Sequence, residues 1–283
     1  MQKFGLIIDS TVYFDEDTFK NIDFEVVSLS VTVDEMTYQE VEINEELLYP
    51  YIDEGTRMNS SAPSVGAFVE AYEAAIEKGY TKIAVIPLSS GLSSTYQSAV
   101  MAADLLDRPD IDIRVIDTLS ANFGIRNLLL TLTDDIASGM DIDEFEKEIL
   151  KRAEQSKLQF TLTHLRQLLN TGRLRKLTYY AAGILRIKPL IELIDGKLEN
   201  VARPRSMRSV IHNFINSIGS IIKLGKLLRI TVIALNEEAA LEELLRQIKA
   251  EFPHATIDVI HKINPVFTLS IGYKGIGFAA TAY

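Results

Sequence analysis

Residues 83–99 read IAVIPLSSGLSSTYQSA, and the fold turns on this stretch. Ile83–Pro87 is a short apolar run closed by proline, the pattern of a buried strand. From Ser89 to Thr95, five of seven residues carry hydroxyls. Apolar residues then recur at helical spacing, so Ser94–Leu106 reads as a helix. A strand that passes through a polar loop into a helix is half of a βαβ unit.

The same alternation extends outward in both directions. Lys3–Ile8 and Ile113–Ile116 read as strands, and Val26–Val33 is a further apolar, β-branched run. Asn44–Asp53, Val65–Lys78, Ala121–Ser138 and Asp141–Gln155 have helical patterns. Strands alternating with helices at this spacing predict an α/β domain with a parallel sheet over residues 1–155. A second α/β domain is expected over 156–283. Its predicted strands are Leu158–Thr163, Ile230–Leu235, Thr256–Ile260 and Val266–Ile271. Pro189–Ile194 and Lys197–Ala202 flank Asp195-Gly196, a two-residue hairpin signal. Leu165–Leu169, Tyr179–Leu185, Ser209–Leu224 and Ala239–Phe252 read as helical. Two α/β domains imply a ligand cleft between them, since clefts at domain interfaces and strand C-termini are where ligands usually bind.

Composition narrows the function. The chain has 283 residues, 47% apolar and 24% charged, which suits a globular protein with a sizeable core. It has no cysteine, which excludes disulfides, thiolate chemistry and cysteine-held metals. The apolar stretch of MQKFGLIIDS ends at Asp9, too short for a signal peptide, and no run approaches the ~18 apolar residues of a membrane span. A soluble, cytoplasmic protein without stable membrane insertion is expected. A formal net charge of −10 repels phosphate backbones and argues against nucleic-acid binding. The basic patches are Arg166, Arg173, Arg175 and Lys176, and Arg203, Arg205 and Arg208. Arg203 and Arg205 follow a predicted strand and suit either an acidic partner or solvent.

The hydroxyl run has a second counterpart, Asn59-Ser60-Ser61-Ala62-Pro63-Ser64, ahead of the helix Val65–Lys78. A helix N-terminus presents unpaired N–H groups and a partial positive charge, a ready anion site. Serine hydroxyls add neutral donors. The same serines also serve as helix caps and turn residues. From the residues alone, the chain reads as an anion-binding α/β protein.

Several motifs together resemble the DegV family of bacterial lipid-binding proteins. Ile7-Ile8-Asp9-Ser10 resembles its N-terminal D-S element, and Ser60-Ser61-Ala62-Pro63-Ser64 its T-S-Q-P-S segment. LSSGLSSTYQSA, from Leu88 to Ala99, is similar to S-S-x-L-S-G-T-Y-Q-S-A, with Ser94 in place of glycine. Ile116-Asp117-Thr118, Gly172-Arg173-Leu174 and Ile187-Lys188-Pro189 resemble i-D-S, G-R-I and I-K-P. The resemblance implies a DegV-like pair of α/β domains that bury a long-chain fatty acid between them. It also implies no catalysis by the chain itself and presentation of the acid to a separate fatty acid kinase. Ser60 or Ser61, with Ser93, would hold the carboxylate, and Arg173 would lie by the head group or the kinase contact. Ser94 and Ser270 complete the expected ligand set. Ser270 stands where the family has histidine, and Tyr273 and Lys274 replace a proline and a glycine. Serine can donate one hydrogen bond but carries no charge.

Other chemistries fit less well. GLSST is not the G-x-S-x-G elbow of a hydrolase, and His164, His212, His254 and His261 have no catalytic spacing. Asp9, Asp15, Asp17 and Asp117 are scattered, and neither metal-binding nor P-loop motifs occur, so no metal or cofactor is expected. Asp9 and Asp117 end strands, where they could orient the serine loops. The alternative functions are a binding protein or enzyme for a phosphorylated small molecule, which the same hydroxyl clusters would suit, and a protein-interaction module.

Overall fold

A computed structural model describes residues 2–14, 17–163, 165–175, 187–225 and 227–283. Asp15, His164, Lys176 and the expected helix Tyr179–Leu185 lie outside the described residues, as do the side chains of Arg166 and Arg175.

The chain first forms β1 (Gly5–Asp9), β2 (Phe24–Val27), β3 (Ser30–Val33), β4 (Met36–Gln39), α1 (Tyr49–Glu54) and β5 (Met58–Ser61). It continues through α2 (Val65–Glu77), β6 (Lys82–Ile86), α3 (Thr95–Leu106), β7 (Asp112–Val115), α4 (Phe123–Leu130), α5 (Thr133–Ala137) and α6 (Ile142–Glu154). Strands β2, β1, β6 and β7 make a parallel sheet in that order. β1, GLIID, is buried at every position because helices cover both sheet faces. One face packs on α4 and α6 through Ile125, Leu129 and Phe145, the other on α2 and α3 through Phe68, Tyr72 and Ala99.

The run Val26–Val33, expected as one strand, divides at Ser28-Leu29. Its first part joins the parallel sheet, and its second joins an antiparallel sheet of order β4-β3-β5. Asn44–Asp53 is likewise split, into a 3-10 turn over Glu45–Leu48 and α1, and Ala121–Ser138 into α4 and α5.

The remainder forms β8 (Ser156–Leu162), α7 (Arg166–Asn170), β9 (Leu174–Arg175), β10 (Leu190–Ile194), β11 (Lys197–Ala202) and α8 (Met207–Ile221). It ends with β12 (Leu228–Leu235), α9 (Glu238–Glu251), β13 (Thr256–Ile260), α10 (Pro265–Ile271) and β14 (Gly275–Ala282). The seven strands form a mixed sheet, β13-β12-β14-β8-β10-β11-β9. β10 and β11 form the expected hairpin, with Asp195 and Gly196 at positive φ in its turn.

One sequence expectation is corrected here. Val266–Ile271, read as a strand, is the helix α10. Pro265 occupies its first turn, where the missing N–H costs nothing, and burial of nearly every side chain overrides the β-branched composition. The strand of this region is β14, antiparallel to both β12 and β8. Its small residues have a steric cause: a Cβ at Gly275 would lie 2.5 Å from the Thr161 oxygen, and one at Gly277 2.6 Å from that of Gln159.

A buried ionic joint ties α4 to the mixed sheet. Arg126, 6% exposed, pairs with Asp258, which also meets Arg229 at 3.1 Å. Asn127 donates to Thr281 at 2.7 Å and accepts from Thr231 at 2.9 Å. Ion pairs this deep are costly to break from one side.

Candidate functional site

The hydroxyl loop after β6 is shaped by carboxylates at strand ends. Asp9 Oδ2 accepts the Leu88 N–H at 2.5 Å, and its Oδ1 accepts from the Thr11 N–H and hydroxyl. Asp117 Oδ2 accepts the Ser90 N–H at 3.3 Å. Burial pushes the Asp9 carboxyl above its ordinary range, against the hydrogen bonds from Thr11 and Leu88. The loop also leans on the β10–β11 turn, where Ser89 Oγ donates to the Gly196 oxygen at 3.0 Å.

Within the loop, Ser93 Oγ lies 2.8 Å from Thr95 Oγ1 and accepts the Thr95 N–H at 3.3 Å. Ser94 is the residue ahead of α3, yet its side chain makes no capping bond and is exposed. In the other hydroxyl cluster, the cap of α2 is Ser64, whose Oγ accepts from Ala67 N at 3.1 Å. Ser60 and Ser61 belong to β5 instead, opposite Val31 and Ser30 of β3. They are therefore strand residues rather than helix-leading ones, because the chain extends to pair with β3 before it turns into α2.

These elements meet around a pocket with about 480 Å³ of empty space, open solvent included. Its apolar wall comes from Leu29, Leu88, Leu92, Leu168, Val266 and Phe267. Its polar lining is Ser60, Ser61, Ser93, Thr171, Arg173 and Ser270. Five of the six expected ligand residues therefore face one pocket, and Ser94 does not. Ser270 lies in α10 and donates its hydroxyl to the Val266 oxygen one turn earlier, at 2.7 Å. That commits its proton to the helix and leaves the pocket only lone pairs.

Among the described residues, Arg173 is the cation of this lining. Its Nε donates to the Leu92 oxygen at 2.9 Å, and desolvation lowers its pKa from the ordinary arginine value. Guanidinium stays protonated nonetheless. Ser60, Thr171 and Arg173 also border a wider polar space of about 1230 Å³, walled by Arg57, Asn59, Gln167 and Asn170. A largely apolar pocket thus shares Ser60, Thr171 and Arg173 with a wider polar vestibule. Such a shape suits a ligand with an apolar tail and an anionic end.

Sequence reasoning missed Glu40. It sits in a run of acids, YQEVEINEE, that reads as solvated surface, yet it is 2% exposed. Its Oε1 accepts the Val266 N–H at 2.8 Å, and its Oε2 accepts the Ser10 hydroxyl at 2.5 Å. Asn264 adds a bond from its side-chain amide to the Ser10 oxygen at 2.6 Å. Tyr273, one of the departures from the family pattern, stacks on Tyr49 at 4.3 Å and donates to Asp53 at 2.5 Å, while Lys274 is exposed. Among the described residues, no cluster of His, Asp or Glu is arranged to hold a metal ion, and no helix is long and apolar enough to cross a membrane.

A DegV domain-containing protein of Staphylococcus aureus (strain COL) is 29% identical over 278 residues, 98% of each chain. A DegV family protein from Thermus thermophilus, described as fatty-acid-binding, superposes with a TM-score of 0.88 at 22% identity, over 100% of both chains. A DegV lipid-binding protein from Thermotoga maritima gives 0.83 at 25% identity, over 99% of this chain and 98% of that one. The family model described as "Uncharacterised protein, DegV family" matches residues 3–282, and the chain therefore belongs to the DegV family.

Proposed function

We propose that this protein binds a long-chain fatty acid, with its tail in the apolar pocket and its carboxylate at the polar lining, and carries the acid without transforming it. The observation that carries this reading is the pocket's lining, which combines leucines, Val266 and Phe267 with Ser60, Ser61, Ser93 and Arg173. Fatty-acid and lipid binding by the Thermus and Thermotoga proteins of the same fold supports it. Each methylene moved out of water contributes ~0.8 kcal/mol, so a chain of ~15 methylenes makes on the order of 10 kcal/mol available. The head group then needs few donors. Ser93 with Ser60 or Ser61 supplies hydroxyls and Arg173 supplies charge, while Ser270, its proton held by Val266, contributes shape. Among the described residues, the lining combines apolar, hydroxyl and guanidinium groups, with no histidine or carboxylate to act as a base. A kinase would then act on the carboxylate presented at the vestibule.

The vestibule, with Arg57 and Arg173 on its wall, favours a second reading: a binding protein or enzyme for a phosphorylated small molecule. Native mass spectrometry of freshly purified protein, followed by organic extraction, separates the two. The fatty-acid reading predicts one extractable acid per chain. A polar phosphorylated compound in its place would replace this reading with the second.

A further inference from the structure

Two carboxyl groups lie in the interior beside the pocket, Asp9 at the end of β1 and Glu40 just past β4, exposed by 0% and 2%. Each holds a backbone N–H of a pocket-lining residue, Asp9 that of Leu88 and Glu40 that of Val266. Glu40 braces a third wall as well. Its own N–H donates to the Leu29 oxygen at 2.8 Å, and the Ser10 hydroxyl that it accepts from takes the Leu29 N–H at 2.9 Å.

The groups that face Glu40 are nearly all neutral. The loop after β1 offers the Ser10 hydroxyl, the start of β3 the Leu29 backbone, and the start of α10 the Val266 N–H. The charged group acting on Glu40 is Asp9, of like sign. Among the described residues, no lysine, arginine or histidine pairs with either acid or offsets its charge. Burial accordingly pushes Glu40 up to about 7. A buried carboxylate without a cation is sensitive to any further negative charge, since like charges disfavour ionisation of the more weakly acidic partner.

We propose that Glu40 is a positioning residue for the pocket, and that filling the pocket with an anionic ligand draws a proton from solvent onto Glu40. The inference rests on the carboxylate reading given above. In both protonation states one carboxyl oxygen still accepts the Val266 N–H, so α10 stays pinned, with Val266, Phe267 and Ser270 in the pocket wall. Once protonated, Glu40 donates to Ser10 Oγ instead of accepting from it. The charge changes while the wall holds its place.

The test is calorimetric titration of lipid-stripped protein at pH 7 with dodecanoate and, separately, with neutral 1-dodecanol, each in buffers of different ionisation enthalpy. Dodecanoate is expected to bind with net proton uptake, dodecanol with none, and the uptake is expected to vanish in Glu40→Gln. If binding raises the Glu40 pKa by one unit, dodecanoate affinity falls about tenfold as pH rises from well below 7 to well above it, and stays flat in Glu40→Gln. Binding of dodecanoate with the same proton count as dodecanol overturns the Glu40 inference and leaves the fatty-acid reading standing. Failure of both ligands to bind overturns that reading and this inference with it. Equal proton counts in the two wild-type titrations overturn the inference even if the variant does not fold.

Discussion

Arg173 Nε donates to the carbonyl oxygen of Leu92 across 2.9 Å, joining the turn before β9 to the hydroxyl loop after β6. Ser93 follows Leu92 directly, so this bond ties Arg173 to the segment that carries Ser93, and both residues line the pocket. Arg173→Gln should weaken dodecanoate binding by ~1.5–3 kcal/mol, the scale of a hydrogen bond to a charged group. Affinity for 1-dodecanol should hardly change. Equal losses for both ligands, read by displacement of a fluorescent fatty acid, would mean that Arg173 only supports the wall.

Ser93→Ala tests the hydroxyl side of the polar lining. Ser93 also accepts the Thr95 N–H, so its loss has a structural share of about 1 kcal/mol, as for a helix cap. The carboxylate share should appear as a further ~1.5–3 kcal/mol in fatty-acid affinity. Urea unfolding measures the first share and ligand titration the second. Unchanged affinity in a destabilised variant would remove Ser93 from the head-group set.

Gly91→Ala should disturb the loop from the opposite side. A Cβ there would lie 2.3 Å from the Gly196 oxygen and 2.9 Å from its carbonyl carbon, both backbone atoms of the hairpin turn. Forced overpacking of this kind costs ~1–3 kcal/mol. Leu92 and Ser93 follow directly, so fatty-acid affinity should fall together with stability. A variant with wild-type stability and affinity would show that the loop and hairpin part easily.

Glu40 gives a pH signature to stability. Its folded pKa of about 7 lies above the ordinary 4.5, so the folded state holds this proton more tightly than the unfolded chain does. The contribution is fully present below pH 4.5, declines as pH rises from there, and is gone above about 7. Glu40→Gln should therefore be more stable than wild type at pH 8, by up to about 3 kcal/mol. The advantage should shrink toward pH 5. Denaturant midpoints at the two pH values would reveal it, and a pH-independent difference would refute the linkage.

The strand-to-helix passage at Ile83–Ala99 was legible because its signal is local: a β-branched run, a hydroxyl loop, then helical spacing. The hairpin at Asp195-Gly196 was legible for the same reason, since its turn chemistry sits in two residues. β14 was not, because Gly275 and Gly277 are set by the approach of β8's backbone, and sequence periodicity carries no record of a neighbour's carbonyl. The helix α10 was misread because V-F-T-L-S-I alternates as a strand would, while its geometry depends on a proline start and on burial against β3, α1 and α7. Glu40 was hidden in an acidic run whose Glu42 and Glu46 are exposed, and its burial follows from contacts with Val266, 226 positions away. At the site, Ser60, Ser61, Ser93, Ser270 and Arg173 were reached through motif resemblance. The commitment of the Ser270 proton to its own helix could only come from coordinates.

The central claim is the orientation of a fatty acid in the pocket, and a crystal structure with 12-bromododecanoic acid, read by the anomalous signal of bromine, tests it most directly. The account predicts a bromine peak enclosed by the apolar wall of Leu88, Leu92, Leu168 and Phe267, with the carboxylate within hydrogen-bonding distance of Ser93 and Arg173. A bromine peak in the polar vestibule beside Arg57 and Asn170, with the carboxylate away from Ser93, would contradict it.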